Sequence, residues 1–306
     1  MPEKYTTIMN TNQSKRLKET ICQLSQYESF KELRHEQAYS DSLPSAGKLE
    51  EIIQICRSIL FPGYYGNASV NKQNLTYHIG LNTEKLLVLL SGQIAAGLCF
   101  SPKDKCLNAT ELKQAADTIA EEFIFNLPEL RKTLYTDIMA TYYGDPAAES
   151  IDEVIYCYPG IRAISNYRIA HLLLNLDVPI IPRIITEMAH SETGIDIHPA
   201  ASIGQSFSID HGTGVVIGAT AILGNNVKLY QGVTLGAKSF PLDEKGNPIK
   251  GVPRHPILED NVIVYSNATV LGRITIGKDA VVGGNIWVTE DVLPGARVCQ
   301  PKRISE

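Results

Sequence analysis

An aliphatic residue returns at every sixth position across the C-terminal third of this 306-residue chain. A period of six fits neither an α-helix nor an alternating strand, and it predicts a parallel β-solenoid whose coils have three flat faces. A two-residue slip at Val215 and Val216 shifts the phase once. Short strands of a β-sandwich are the alternative, which thirteen such positions disfavour. The thirteen are Ile197, Ile203, Ile209, Ile217, Leu223, Leu229, Leu235, Leu258, Val264, Val270, Ile276, Val282 and Val288.

The preceding residues, up to about position 190, carry apolar residues at spacings of three and four, which predicts α-helices. The predicted helices cover about 14–37, 48–60, 81–97, 109–125, 128–143, 149–158, 159–176 and 184–191. The end coil of a solenoid must be capped so that its apolar side chains are not exposed, and we expect the helices to form this cap. The predicted fold class is therefore α+β, with an N-terminal α-helical domain over 1–192 and a β-helix domain over 193–306.

The bulk composition, with 44% hydrophobic and 20% charged residues, is typical of a globular protein. A net charge of −5 gives no general argument for binding nucleic acid or an anionic membrane. The N-terminus lacks the apolar core of a signal peptide, and the most apolar run, 86–99, is expected to be a buried helix. Six dispersed cysteines without C-x-x-C spacing favour a cytoplasmic protein and no zinc site.

The segment 237–254 interrupts the hexads and is rich in proline, glycine and charge, so it is predicted to be a projecting loop. Lys238, Lys245, Lys250 and Arg254 give it a local positive charge that suits an anionic ligand. A merely solvated loop is the alternative interpretation.

Among the seven histidines, His211 and His255 are distinguished by their neighbours Asp210 and Arg254. Asp196 lies fifteen residues before His211 and could approach it from the adjacent layer of the solenoid. A carboxylate on one imidazole nitrogen leaves the other nitrogen basic, which is half of a general-base apparatus. No G-x-S-x-G motif and no nearby cysteine offers a nucleophile, so we expect the substrate's own group to attack.

The segments DIHPAASIG, SIDHGTGVVIG, GVTLG and RHP, in this order, resemble the core of the serine acetyltransferases, a branch of the hexapeptide acyltransferases. The resemblance covers about residues 130–295 and includes GDPA at 144–147 and YRIAH at 167–171. It implies a left-handed β-helix and transfer of the acetyl group of acetyl-CoA to the hydroxyl of L-serine, which yields O-acetyl-L-serine for cysteine biosynthesis. Acetyl-CoA would be a co-substrate, with no permanently bound cofactor and no metal.

The resemblance also implies roles for single residues. His211 is the expected general base, Asp196 its support, and His255 a further catalytic residue. The amino group of serine would be held by Asp145 and Asp210. Its carboxylate and hydroxyl would face Arg254 and His255, because a guanidinium fork matches a carboxylate. The expected CoA-binding residues are Gly236, Ala237, Ser266 and Gly284, of which the first two stand where the family has a Gly-Gly pair.

The partners implied by the resemblance are L-serine and acetyl-CoA, with L-cysteine as a feedback inhibitor and a homotrimer or dimer of trimers as the assembly. Two features depart from the family. The loop before Arg254 is longer than usual, so CoA contacts within it are not carried over. The last residues, PKRISE, lack the terminal isoleucine that docks into cysteine synthase, so a tail-docked complex is not expected.

Three other functions remain open at this point. A related transferase could act on another hydroxyl or amine, such as a sugar, although Asp145 and Arg254 favour an amino acid. A β-helix carbonic anhydrase would need three histidines on zinc, and only His211 and His255 are well placed. A non-catalytic scaffold would not need Asp210, His211, Arg254 and His255 together.

Overall fold

The computed structural model describes residues 11–31, 33, 43–66, 69–100 and 108–300. They belong to two units, divided between positions 38 and 39. The first unit contains helices α1 (Thr11–Leu24) and α2 (Tyr27–Phe30). One helix over 14–37 was predicted, and that prediction was wrong, because the helix is interrupted at Ser25 and Gln26. Positions 34–37 of that prediction and the C-terminal residues 301–306 lie outside the described residues.

In the second unit, the described residues form helices ahead of the solenoid. These are α3 (Ala46–Leu60), α4 (Leu75–Phe100), α5 (Ala109–Phe125), α6 (Leu127–Gly144), α7 (Ile151–Cys157), α8 (Pro159–Asn175) and α9 (Ile181–Thr193). Side-chain caps fix three of the starts described, and at α7 Ser150 accepts from the Glu153 amide. Ser45 accepts from the Lys48 amide at α3, and Asn108 forms a reciprocal capping box with Glu111 at α5.

Helix α4 is long and apolar enough to cross a membrane when only length and composition are considered. However, the side chains of Leu86, Leu90 and Ile94 are fully buried, and α4 packs against α3 and α5. The buried helix predicted over 86–99 therefore lies within α4. The helix begins at Leu75, six residues before the predicted start at position 81. The sequence pattern missed these first turns because most of their residues are exposed and show no apolar period.

The solenoid consists of short strands. In chain order they are β1 (Asp196–Ile197), β2 (Ser202–Ile203), β3 (Ser208–Asp210), β4 (Val216–Ile217), β5 (Ile222–Leu223), β6 (Lys228–Tyr230), β7 (Thr234–Gly236), β8 (Ile257–Leu258), β9 (Ile263–Val264), β10 (Thr269–Leu271), β11 (Thr275–Ile276), β12 (Val281–Val282), β13 (Trp287–Val288) and β14 (Arg297–Val298).

Parallel pairing stacks these strands into three sheets, one on each face of the coil. The first face has the order β1-β4-β7-β10-β13, the second β11-β8-β5-β2, and the third β14-β12-β9-β6-β3. All thirteen aliphatic positions of the hexad pattern are at most 8% exposed. The predicted parallel solenoid and its inward-facing residues are thus confirmed.

The first coil is longer than the later ones. Ile197 pairs with Ile217, twenty positions along the chain, whereas Ile217 pairs with Leu235, eighteen positions along. The two extra residues lie in the corner between the third and first faces, where His211, Gly212 and Gly214 have φ angles of 58°, 94° and 82°. Positive φ suits glycine and lets the chain bulge outward. The slip in the sequence therefore marks a bulged corner that contains His211.

A buried ion pair joins the helices to this first coil. Arg168 on α8 donates from Nε and Nη2 to the two carboxylate oxygens of Asp137 on α6, each at 3.1 Å. Asp137 is fully buried and also accepts from the Phe207 amide at 2.9 Å, while Arg168 donates from Nη1 to the Ile203 carbonyl at 2.6 Å. Burial raises the pKa of Asp137, although Arg168 and the Phe207 amide act in the opposite direction.

The buried apolar residues of α3–α9 and of the solenoid form one continuous cluster within the second unit. The predicted division into domains at position 193 remains a prediction. Residues 237–254 run between β7 on the first face and β8 on the second, and many of their side chains are exposed. Asp243 accepts from the amides of Lys245 and Asn247, which closes a turn in this segment.

Candidate active site

A small cavity lies between the end of α6, the start of α8 and strands β3 and β6. Asp145, Tyr158, Asp210 and Lys228 contribute to its lining. Asp145 follows α6 directly, and Asp210 ends β3, so the two carboxylates come from elements that the buried ion pair holds together. The structure thus brings together the two carboxylates expected to bind the amino group of serine.

Asp145 is held by two hydrogen bonds. Its Oδ2 accepts from the Tyr158 hydroxyl at 2.7 Å, and its Oδ1 accepts from the Ala147 amide at 2.8 Å. These bonds, with that of Tyr158 contributing most, lower the pKa of Asp145. The carboxylate therefore stays ionised at neutral pH and can attract a cation.

Lys228 is a cavity residue that the sequence analysis missed. Its Nζ donates to the Gly144 carbonyl at 2.7 Å and lies 3.1 Å from Asp210 Oδ2. Burial acts to lower the pKa of Lys228, but interactions with Tyr230 and Asp210 outweigh it, so the pKa is raised. The repeat spacing would not have identified this residue, because the longer first coil stacks Lys228 on Ser208, twenty positions earlier, and Tyr230 on Asp210.

His211 projects from the bulged corner, and its side chain is 74% exposed. Its Nε2 lies 3.8 Å from Asp210 Oδ1. In the described part of the chain, no hydrogen bond or ion pair connects His211 with Asp196. Asp196 instead lies 3.9 Å from Arg183 Nη1 on α9. Within one chain, the nearest carboxylate partner of His211 is thus Asp210.

Arg254 and His255 lie at the corner between the first and second faces. His255 is 7% exposed, and its Nδ1 accepts from the Thr220 amide at 3.1 Å. A Cβ atom at Gly218 would come within 2.1 Å of the His255 ring, so only glycine leaves room for the imidazole. The guanidinium carbon of Arg254 lies 5.7 Å from the centroid of the Phe240 ring.

Apart from Asp145, which follows α6, the expected site residues lie along two edges of the first face. We call the corner before this face the His211 edge and the corner after it the His255 edge. Ser266 and Gly284 lie in the corners stacked along the His211 edge, where a Cβ atom on Gly284 would come within 3.0 Å of the Ser266 carbonyl oxygen. Gly236 and Ala237 lie at the end of β7, on the His255 edge.

Comparison with single relatives identifies the family, although no family model matches the chain. A plasmid serine acetyltransferase of Synechococcus elongatus is 48% identical over 261 residues, which are 84% of this chain and 82% of that protein. The chain belongs to the serine acetyltransferase family.

Solved structures of serine acetyltransferases agree with this assignment. Serine acetyltransferase 1 of Entamoeba histolytica, in complex with L-cysteine, has a TM-score of 0.70 and 35% identity over 89% of this chain and 94% of its own. The soybean enzyme complexed with serine has a TM-score of 0.53 and 28% identity, covering 84% of this chain and 96% of its own. The predictions of a left-handed β-helix and of an acyltransferase are confirmed, and acetyl-CoA is the co-substrate of this family.

One cluster in the described residues has the composition of a metal site. Ligand atoms of Glu187, His190 and Asp196 lie within 4.8 Å of one another. Arg183 already contacts both carboxylates, through an ion pair with Glu187 and a 3.9 Å approach to Asp196. A guanidinium between two potential ligands opposes a second cation, so we interpret this cluster of the serine acetyltransferase as an ion-pair network.

The environment of His255 predicts a pH-dependent stability. Burial, followed by the charges of Arg254, His198 and Arg273, lowers the pKa of His255 to about 4. In the unfolded chain a histidine binds a proton near pH 6.5. Unfolding therefore takes up a proton between these values, so this contribution to stability is complete above pH 6.5 and is lost as the pH falls towards 4.

We expect the melting temperature to fall more steeply from pH 6.5 to 4.5 in the wild-type chain than in His255→Asn, as measured by circular dichroism. The variant is expected to be less stable at pH 7.5, because it loses packing over Gly218. Only the dependence of the melting temperature on pH tests the titration of His255. Parallel pH profiles for the two proteins would contradict the assignment.

Proposed function

We propose that this serine acetyltransferase transfers the acetyl group of acetyl-CoA to the hydroxyl of L-serine, with His211 as the general base. The neutral imidazole accepts the hydroxyl proton while the serine oxygen attacks the thioester carbonyl carbon. The tetrahedral intermediate then collapses, the C–S bond breaks, and the imidazolium returns the proton to the thiolate of CoA. The exposed position of His211 beside a cavity lined by Asp145 and Asp210 is the observation that carries this proposal.

The charges of the two edges match those of serine. We infer that Asp145 and Asp210 hold its ammonium group, and that Arg254 binds its carboxylate with His255 beside the hydroxyl. The Nε atom of Arg254 is buried without a hydrogen-bond partner, which supports an anion at this position. The two carboxylates of Asp145 and Asp210 and the ammonium of Lys228 together carry a net charge of −1. The single ammonium group of serine would neutralise this charge.

Acetyl-CoA would lie along the first face. We infer that Gly236 and Ala237 on one edge, and Ser266 and Gly284 on the other, approach the pantetheine arm. Small side chains support this inference, since they let the backbone approach a ligand closely. Asp196 remains the proposed support of the base and requires a movement, or a bound substrate, that brings it to His211.

The separation of the two edges supports a site shared between chains. No hydrogen bond or ion pair of the described residues links His211 to Arg254 or His255. We propose that at least three copies associate and that the His211 edge of one chain faces the His255 edge of its neighbour. A trimer or a dimer of trimers would satisfy this geometry, and cyclic symmetry repeats the same contact around the axis.

Mixed oligomers would test the shared site. At an L-serine concentration well below saturation, His211→Ala and Arg254→Ala should each lose activity by about tenfold or more when assayed alone. Refolded or co-expressed together, they should recover up to about a quarter of wild-type turnover, because random cyclic mixing pairs one intact edge of each kind in a quarter of the contacts. A site built within one chain would recover nothing in this mixture, and that result would contradict the proposal.

The activity itself is tested by thiol release. Purified protein with acetyl-CoA should release CoA only when L-serine is added, and mass spectrometry should detect O-acetyl-L-serine. Amino sugars and sugars serve as alternative acceptors. Release that is independent of L-serine, or faster with a sugar, would favour another acceptor and contradict the proposed substrate.

L-Cysteine is expected to compete with L-serine, because it keeps the amine and the carboxylate. The E. histolytica complex with L-cysteine supports this inference. Asp145→Asn should raise the serine KM and the cysteine Ki in parallel by about 10–100-fold, since a charge-assisted hydrogen bond contributes about 1.5–3 kcal/mol. Asp152→Asn is the matched control, because Asp152 bonds to Tyr64 and does not line the cavity. Unequal changes in the two constants would mean that serine and cysteine bind differently.

The remaining inferences concern the cell. We propose a cytoplasmic location, supported by the free cysteines of the described residues, namely Cys22, Cys56, Cys99, Cys157 and Cys299. The prediction that no tail-docked complex with cysteine synthase forms rests on residues 301–306, which lie outside the described residues.

A further inference from the structure

Lys228 is the only residue with a cationic side chain among the described residues that line the cavity of Asp145 and Asp210. It lies on β6 in register with Ser208, while the next outward-facing residue of that strand, Tyr230, is in register with Asp210. The lysine side chain therefore crosses the third face diagonally to reach Asp210 on the neighbouring strand. Only 16% of this side chain is exposed, so solvent screens its charge poorly.

Three groups hold the ammonium of Lys228 in place. Its Nζ donates to the Gly144 carbonyl at 2.7 Å, lies 3.1 Å from Asp210 Oδ2, and lies 4.6 Å from the centroid of the Tyr230 ring. The Tyr230 ring is itself stacked on Tyr265, with the two centroids 4.9 Å apart. Burial acts against the charge, but the contacts with Tyr230 and Asp210 raise the pKa of Lys228. The group is therefore a fixed ammonium at neutral pH.

This fixed ammonium limits what the two carboxylates can bind. Asp210 Oδ2 faces Lys228, and only Oδ1 is turned towards His211, whose Nε2 lies 3.8 Å away. Asp145 forms no ion pair among the described residues, so the three charged groups keep one unbalanced negative charge. A ligand with one ammonium group balances that charge. A second ammonium would remain without a counter-charge in a partly buried site, which is unfavourable.

We propose that Lys228 is a specificity-determining residue that restricts this site to acceptors with a single ammonium group. The inference rests on the proposed function, because it takes Asp145 and Asp210 as the carboxylates that bind the amine of serine. Serine carries one ammonium group and fits. A diamino acid carries a second ammonium at the end of its side chain, where serine presents its hydroxyl to His211, and Lys228 repels it there. The residue thus excludes diamino acids from the site.

A purely structural role is the alternative, because Lys228 also satisfies a carbonyl at the C-terminal end of α6. A cation at this end of a helix interacts favourably with the helix dipole. Loss of such a cap would loosen Asp145, the residue after α6, and would weaken every amino acid ligand to the same extent. The two roles therefore differ in whether the affinities for monoamino and diamino ligands change together.

Inhibition by L-homoserine and by L-2,4-diaminobutyrate separates the two roles. The two probes have the same chain length and differ only in the terminal group, which is a hydroxyl or, at neutral pH, an ammonium. Each competes with L-serine while O-acetyl-L-serine is followed by mass spectrometry. In Lys228→Met, the ratio of the Ki for diaminobutyrate to the Ki for homoserine should fall by about tenfold or more, because a unit charge a few ångströms from the second ammonium is removed.

Two further variants serve as controls. Lys228→Arg keeps the charge, so its Ki ratio should stay within about threefold of the wild-type ratio. Lys278→Met removes an exposed lysine from the corner between the second and third faces, two coils further along the solenoid, and should leave the ratio unchanged. Lys228→Gln repeats the test if Lys228→Met does not melt cooperatively. Calorimetric titration with the same two probes gives the ratio if turnover of a variant is too low.

Two results would overturn the inference. One is an equal change of both inhibition constants in Lys228→Met, which would assign the lysine to the helix cap. The other is a Ki ratio that falls as far in Lys228→Arg as in Lys228→Met, since the charge would then not be the cause. Failure of the proposed function is a different result, because the wild-type protein would then form no O-acetyl-L-serine before any variant is compared.

Discussion

His211→Ala is expected to lower turnover by about 10²–10⁴-fold with little change in the affinity for acetyl-CoA. A positioned base contributes this factor, which corresponds to about 3–5 kcal/mol of barrier. His211 stands in the bulged corner with 74% of its side chain exposed, so its truncation removes few packing contacts. Steady-state kinetics with both substrates varied measures the effect.

The division between turnover and KM decides the role of this histidine. If His211 only formed a wall of the serine pocket, its loss would raise the serine KM and spare turnover at saturation. Asp196→Asn is the variant to compare with His211→Ala. It would misorient the base without removing it, so it should lower turnover by a smaller factor. Equal losses in both variants would instead indicate that the two residues act as one unit.

Arg168→Ala is expected to lower the free energy of unfolding by about 3–5 kcal/mol, because it leaves the Asp137 carboxylate buried without its cation. The loss also removes the donors to the Ile203 and Gly204 carbonyls at the first coil. Chemical denaturation with urea, followed by circular dichroism, gives the change in free energy directly.

Two matched variants isolate the buried charge. Lys132→Ala breaks an exposed ion pair with Glu129 and should cost about 0–1 kcal/mol. Arg168→Met combined with Asp137→Leu removes both charges and should be milder than Arg168→Ala alone. If Arg168→Ala cost no more than Lys132→Ala, the ion pair would not be what fastens α6 and α8 to the solenoid.

The solenoid could be predicted from the sequence because its signal is local and repeated. Each coil buries the same aliphatic positions, so the period of six is visible in the sequence even when contacts between distant residues are unknown. Helix α5 was predicted with its observed bounds, 109–125, for a similar reason, since Asn108 caps it and α6 begins two residues after its end. Such features depend on residues only a few positions apart.

The site was less predictable because its geometry depends on long-range contacts. Tyr158 lies at the start of α8, and its bond to Asp145 follows only from the packing of α6 against α8. The approach of His211 to Asp210 rather than to Asp196 follows from the bulged corner.

Within the described solenoid, 196–298, the bulged corner occurs once, at the end of the first coil, and the later pairings of β4 with β7 and of β10 with β13 return to eighteen residues. The length of the solenoid and the position of His211 are therefore independent variables. A whole coil could be inserted beyond β13 without moving His211 relative to α6 and α8, and without removing Gly284. Evolution could lengthen the rod and leave its chemistry at the helical end.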